Sequence, residues 1–175
     1  MNKGKKIHAG ILILLIIFVL VLYCSEADAQ DSFVDGENIY AETFAYATEE
    51  DFVALERVLY HEAARSGCDL DVCKAVVETV LNRVLDPKWP DSIKDVCEDC
   101  RWGQQFCHSY YIPEFEWQQE LVDDAISEVM REGPTILPSV SYQYFATKKQ
   151  SLGKNHILLG DSSKRWKYLY FCEEK

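Results

Sequence analysis

The chain has 175 residues, with 29 acidic side chains against 18 lysines and arginines, a net charge of −11 at pH 7. So acidic a chain lacks the basic footprint of a nucleic-acid binder. Its hydrophobic share of 48% supports a packed core, and its length suits one domain better than several.

Lys3, Lys5 and Lys6 precede an uncharged, mainly aliphatic run from Ile11 to Tyr23, and Ala27-Asp28-Ala29 follows with small residues two apart. This is the three-part pattern of a secretory signal peptide over residues 1–29, with cleavage expected before Gln30. The run is short for a bilayer crossing of about 20 residues, so membrane attachment is expected only if the segment stays uncleaved. Cys24 follows Leu22-Tyr23, a poor setting for lipid modification. The expected location is outside the cell, secreted or held at the envelope. Cleavage removes three lysines and two acids and shifts the net charge from −11 to −12.

Residues 30–50 read as an acidic, solvated lead-in: Asp31, Asp35, Glu37, Glu42, Glu49 and Glu50 occur there with no base. The domain is expected over 51–175. Thr48-Glu49-Glu50-Asp51 has the form of a capping box and opens a helix running to about Arg65, with a stop at Ser66-Gly67. At about 100° per residue, Glu62 falls between Leu55 and Val58 on the apolar stripe, while Arg57, His61 and Arg65 share the opposite face. An ionised Glu on a buried face is disfavoured by desolvation unless it is paired or kept neutral. A carboxylic acid held neutral is what a general acid requires. The plainer alternative is a helix-edge Glu that snorkels or pairs with a nearby Arg.

Asp69 or Asp71 caps a second helix through Val72, Cys73, Val76, Val77, Val80, Leu81 and Val84, whose wide apolar arc marks it as the central buried helix. Glu78 and Asn82 project away from that arc in this reading. Asp86-Pro87 ends the helix, and residues 86–113 read as a long, mostly irregular segment, a type that is usually functional. Pro113-Glu114 opens a third helix with Leu121, Val122, Ala125 and Val129 as its stripe, ending at Gly133-Pro134. Val140 to Phe145 and Trp166 to Phe171 read as aromatic strands, separated by a basic, turn-prone segment from Lys148 to Arg165 that carries His156 on its surface. Three helices followed by a small sheet give an α+β domain.

Beyond the signal segment stand Cys68, Cys73, Cys97, Cys100, Cys107 and Cys172. An even count in an exported domain points to disulfides. The competing reading is metal, because Cys97-x-x-Cys100 followed by Cys107-His108 has ligand-like spacing. A redox-active Cys97/Cys100 pair is a third option, without the strand–helix surroundings of a thioredoxin fold.

Leu55-Glu56-Arg57-Val58-Leu59-Tyr60-His61-Glu62-Ala63-Ala64-Arg65 resembles the opening motif of the cell-wall hydrolase family typified by spore cortex-lytic enzymes (SleB type), in which the Glu is the catalytic acid. Ala75 to Val84, ending Leu81-Asn82-Arg83-Val84, matches that family's next helix, and Trp89-Pro90-Asp91 its Pro-Asp turn. Gly103-Gln104-Gln105-Phe106-Cys107 and Tyr142-Gln143-Tyr144-Phe145 answer its later segments. The likeness spans residues 53–172. The chain departs from the pattern at Ser66-Gly67-Cys68, at Ala146-Thr147 and at Lys167 to Cys172.

The resemblance implies a lysozyme-superfamily-like helical core facing a small antiparallel sheet across a sugar groove. It assigns Glu62 as general acid, then base, in cutting peptidoglycan glycan strands between muramic acid and glucosamine. Gln105, Phe106 and Tyr144 are the implied substrate contacts, and a Cys107–Cys172 bridge is the favoured disulfide. No cofactor or metal is called for, and a monomer is expected. Because no second carboxylate has an equal claim, the expected chemistry is that of a lytic transglycosylase. Hydrolysis by water and a non-catalytic wall-binding domain are the alternatives.

Overall fold

The computed structural model describes residues 38–99, 113–147, 153–165 and 167–173. In chain order the elements are α1 (Ala41–Tyr46), α2 (Glu49–Glu62), a 3-10 turn (Ala64–Ser66), α3 (Leu70–Leu85), α4 (Ile93–Glu98), α5 (Glu116–Glu132), β1 (Tyr142–Ala146), β2 (Lys154–Gly160) and β3 (Tyr168–Glu173). The α+β class is borne out. Among the described residues no helix is long and apolar enough to cross a membrane. The signal segment, Gln105, Phe106, Cys100 and Cys107 lie outside the described residues.

Local chemistry sets the helix ends. Thr48 caps α2: its hydroxyl accepts the Asp51 N–H at 3.3 Å, and Asp51 Oδ2 accepts the Thr48 N–H at 2.9 Å. The other carboxylate oxygen of Asp51 accepts the Lys94 N–H at 2.8 Å, so one buried side chain fastens the starts of α2 and α4 together. At its far end α2 stops at Glu62, three residues before the expected Arg65. Ala63 leaves helical geometry at φ −136° and ψ −59°, and the chain tightens into the 3-10 turn before Gly67 at φ +67°. Asp69 caps α3 by accepting the Val72 N–H at 3.0 Å.

Helix α3 is the axis of the domain, packed against α2, α4, α5 and β1. Every residue from Val72 to Arg83 is buried, which corrects the expectation that Glu78 and Asn82 point away from the core. Buried polar groups are tolerable only when partnered; Thr79 bonds the Ala75 carbonyl of its own helix, and the others tie α3 to a neighbour. Lys74 donates to Glu128 of α5 at 3.0 Å. Glu78 accepts the backbone N–H groups of Thr135, Ile136 and Leu137. Asn82 accepts the Tyr40 hydroxyl at 2.7 Å and donates to the Tyr142 carbonyl at 3.0 Å. A helix-period reading sends polar residues outward; here neighbours on every side supply their partners instead.

Three further expectations are corrected. The lead-in is not wholly solvated: Tyr40 is fully buried, Phe44 is buried in α1, and the Phe44 and Phe52 rings stack at 6.2 Å. The segment after Asp86 is not irregular throughout, since α4 forms with Ser92 as its cap. Between Lys148 and Arg165 lies β2, which places His156 in a strand rather than a loop.

The sheet is antiparallel with order β1-β3-β2. Leu169 and Phe171 of β3 point inward, and Phe171 meets Phe145 of β1 at 5.5 Å. In register, Tyr144 pairs with Cys172.

Candidate active site

Glu62 is the last residue of α2 and is half-buried. The C-terminal end of a helix is the negative pole of its dipole, so a carboxylate there calls for a nearby cation. Arg83 of α3 is near enough for the Glu62 charge to favour its protonated form, after the larger influences of Tyr144, Cys97 and Asp99. Arg83 is only 2% exposed. Burial pulls it down to about 10, against the support of Tyr144, Cys97, Asp99 and Glu62. It therefore stays charged through the neutral range.

The setting of Arg83 is well defined. Its Nε donates to the Gln143 carbonyl at 2.7 Å. The guanidinium carbon lies 4.4 Å from the Trp89 ring centre and 5.5 Å from that of Tyr144. The two rings are 6.0 Å apart and tilted by 59°. Gln143 holds this cluster in place, accepting the Trp89 indole N–H at 2.9 Å and donating to Asp86 at 2.9 Å. The charged end of α3 is thus locked between β1 and the turn after α3, with Glu62 within its electrostatic reach.

Of the four site residues expected from sequence, Glu62 and half-buried Tyr144 are both coupled to Arg83. Gln105 and Phe106 lie outside the described residues. Arg83, Trp89 and Gln143 were missed as site residues, although all three stand inside the quoted motifs. The one signal was an Arg on the central helix, a residue rarely buried without a task. A second omission is Asp99, a carboxylate that also supports the charge of Arg83.

Two clefts flank α2 elsewhere: one of about 280 Å³ lined by Tyr46, Asp51, Leu85 and Ile93 among others, and one beside Val53, Arg57 and Lys94. Glu62 lines neither. The convergence on Arg83 has a chemical argument behind it that these shallow hollows lack.

The described cysteines, Cys68, Cys73, Cys97 and Cys172, are buried, and no disulfide forms among them. Burial pushes the Cys97 thiol up to about 12 despite Arg57 and Arg83, which makes it a poor nucleophile or redox partner. Among the described residues no three His, Cys, Asp or Glu side chains converge as a metal site. Cys107 and His108 lie outside the described residues, and so therefore does the expected Cys107–Cys172 bridge. No family model, no curated protein and no solved structure matches the chain.

A half-buried carboxyl near a buried Arg fits the plainer expectation of a helix-edge Glu beside an Arg, and it also fits the carboxylate stage of a proton shuttle.

Proposed function

We propose that the protein is a secreted peptidoglycan-cleaving glycosidase, a lytic transglycosylase in which Glu62 is the general acid and base. It acts outside the cell as a monomer after cleavage before Gln30, on a lysozyme-like arrangement of helices and sheet. The observation that carries this reading is the position of Glu62: at the end of the helix the motif predicts, half-buried, with the buried Arg83 near enough to steady its carboxylate stage. Glu62 donates its proton to the glycosidic oxygen, and the sugar C1 becomes an oxocarbenium-like centre. The resulting carboxylate then takes the proton of the sugar's own 6-hydroxyl as that oxygen bonds to C1, closing an anhydro ring. Arg83 holds its charge throughout and steadies the carboxylate stage. Tyr144 presents an aromatic wall to the sugar, while Gln105 and Phe106 complete the contacts on the resemblance alone.

Asp99 favours one other reading. As a second carboxylate supporting the same Arg83, it could activate water and give simple hydrolysis with the same acid. Mass spectrometry of glycan fragments after digestion of purified peptidoglycan separates the two. Anhydro-muramic ends support the transglycosylase, reducing ends support hydrolysis, and undigested glycan refutes both.

A further inference from the structure

Three aromatic side chains among the described residues are exposed, Tyr46 and two neighbouring rings at the start of α5. Phe115 is 56% exposed and Trp117 45%, their ring centres are 6.2 Å apart, and their planes differ by 12°. Their backbone is fixed, because Gln118 Oε1 accepts the N–H groups of Glu114 and Phe115 at 2.8 and 3.1 Å. The amide nitrogen of Gln118 reaches the Arg65 carbonyl at 3.5 Å, tying this corner to the 3-10 turn that follows Glu62. The rings are therefore held in place beside the end of the Glu62 helix.

Gly67 closes that turn. A side-chain carbon there would lie 3.4 Å from the Trp117 ring edge and 3.3 Å from Lys167 Nζ. The ammonium and the ring edge are thus separated by no more than the sum of those two distances. No carboxylate is paired with Lys167 among the described residues. Arg65, half-exposed, makes a long contact of 3.9 Å to Glu114 among the described residues. In a chain of net charge −11, this corner brings Lys167 and Arg65 close to two exposed rings.

We infer that Phe115 and Trp117, with Lys167 and Arg65, form a subsite for acidic N-acetylated glycan, an extension that rests on the peptidoglycan reading of Glu62. The C–H face of a pyranose ring is apolar and suits the electron-rich face of an indole or phenyl ring. The carboxylates that peptidoglycan carries on its lactyl groups and stem peptides suit Lys167 and Arg65. Salt screens the repulsion between the acidic protein and an anionic polymer beyond about 10 Å, so the charges next to the ligand decide the contact. A local cation beside the stacking face therefore overcomes that repulsion at contact. Gly67 leaves the gap in which ring and ammonium meet.

The test uses Glu62→Gln protein, so that glycan is not consumed, and reads Kd by titration calorimetry with two probes. One is soluble uncrosslinked peptidoglycan strands; the other is chitin tetrasaccharide, which has N-acetylated rings without carboxylates. Trp117→Ala should weaken both by about tenfold, and Trp117→Phe, which keeps a ring, should restore most of the loss. Lys167→Gln should weaken the strands and leave the tetrasaccharide unchanged. Circular dichroism melts verify that each variant is folded, and Phe115→Ala gives a second removal of stacking area if Trp117→Ala is not. Unchanged affinity for both probes on removing the rings overturns the subsite, as does a parent protein that binds neither. If Glu62→Gln protein still cleaves the strands, the catalytic reading fails, while the tetrasaccharide titrations still decide the subsite.

Discussion

Replacing Glu78 probes how the centre of the domain is held. Its side chain is fully buried on α3. Oε1 accepts from Thr135 at 2.8 Å and Ile136 at 3.0 Å, and Oε2 accepts from Leu137 at 2.7 Å. Glu78→Ala strips partners from three backbone donors. Leu137 is buried and its N–H cannot be rehydrated, costing about 1–3 kcal/mol. The other two are nearer solvent and lose less, while the lost methylene burial adds about 0.8 kcal/mol per group. Removing a desolvated charge offsets part of this, leaving a net loss of about 3–5 kcal/mol, at the top of the range for single substitutions. Glu78→Gln keeps one oxygen for Thr135 and Ile136 but turns an amide donor toward the Leu137 N–H, for about 1–3 kcal/mol. Burial pushes the Glu78 carboxyl up, against the three N–H groups and Lys74. With the folded value raised, its contribution is complete below the unfolded value and declines as pH rises through the folded one. The advantage of Glu over Gln should therefore narrow as pH rises through that window. Urea unfolding with unchanged slope gives the numbers. An alanine variant within about 1 kcal/mol of wild type would refute the proposed anchoring.

Tyr40→Phe should cost about 1–2 kcal/mol by orphaning the buried Asn82 oxygen, read as a lower melting temperature; an unchanged melt would mean that the 38–47 segment does not hold the core. Burial raises the Asp51 carboxyl, but hydrogen bonds from Thr48 and Lys94 and the Lys94 charge hold it below the usual range. Its contribution is therefore present at neutral pH and lost as pH falls from about 4 through the folded value. Asp51→Asn should flatten the fall of urea midpoint with acid, and an identical slope would contradict this. Gly67→Ala forces a side chain at φ +67°, costing about 1–2 kcal/mol, and a melt equal to wild type would count against that strain.

What was legible in the sequence was local. Thr48 with Asp51, Asp69 and Gly133 mark helix ends through bonds made within a few residues, and the structure places caps at each. The position of Glu62 between Leu55 and Val58 follows from helical period alone. What was missed depends on partners distant in sequence. Six-residue α4 survives because Asp51 of another helix takes its Lys94 N–H. Strand β2, largely exposed and polar at its start, has no clean alternation of its own and exists by pairing with β3. Arg83 falls three residues after Val80 and seven after Val76, on the apolar arc, but its partners Gln143, Trp89 and Tyr144 come from distant parts of the chain.

Glu62 moves the proton in the proposed reaction. The direct measurement is the rate at which Glu62→Gln and wild-type protein release soluble fragments from dye-labelled peptidoglycan, with matched circular dichroism spectra. The amide keeps the shape but cannot deliver a proton, so the rate should fall at least about 10²–10⁴-fold while the fold is unchanged. Release by a folded Glu62→Gln protein at the wild-type rate would contradict the account.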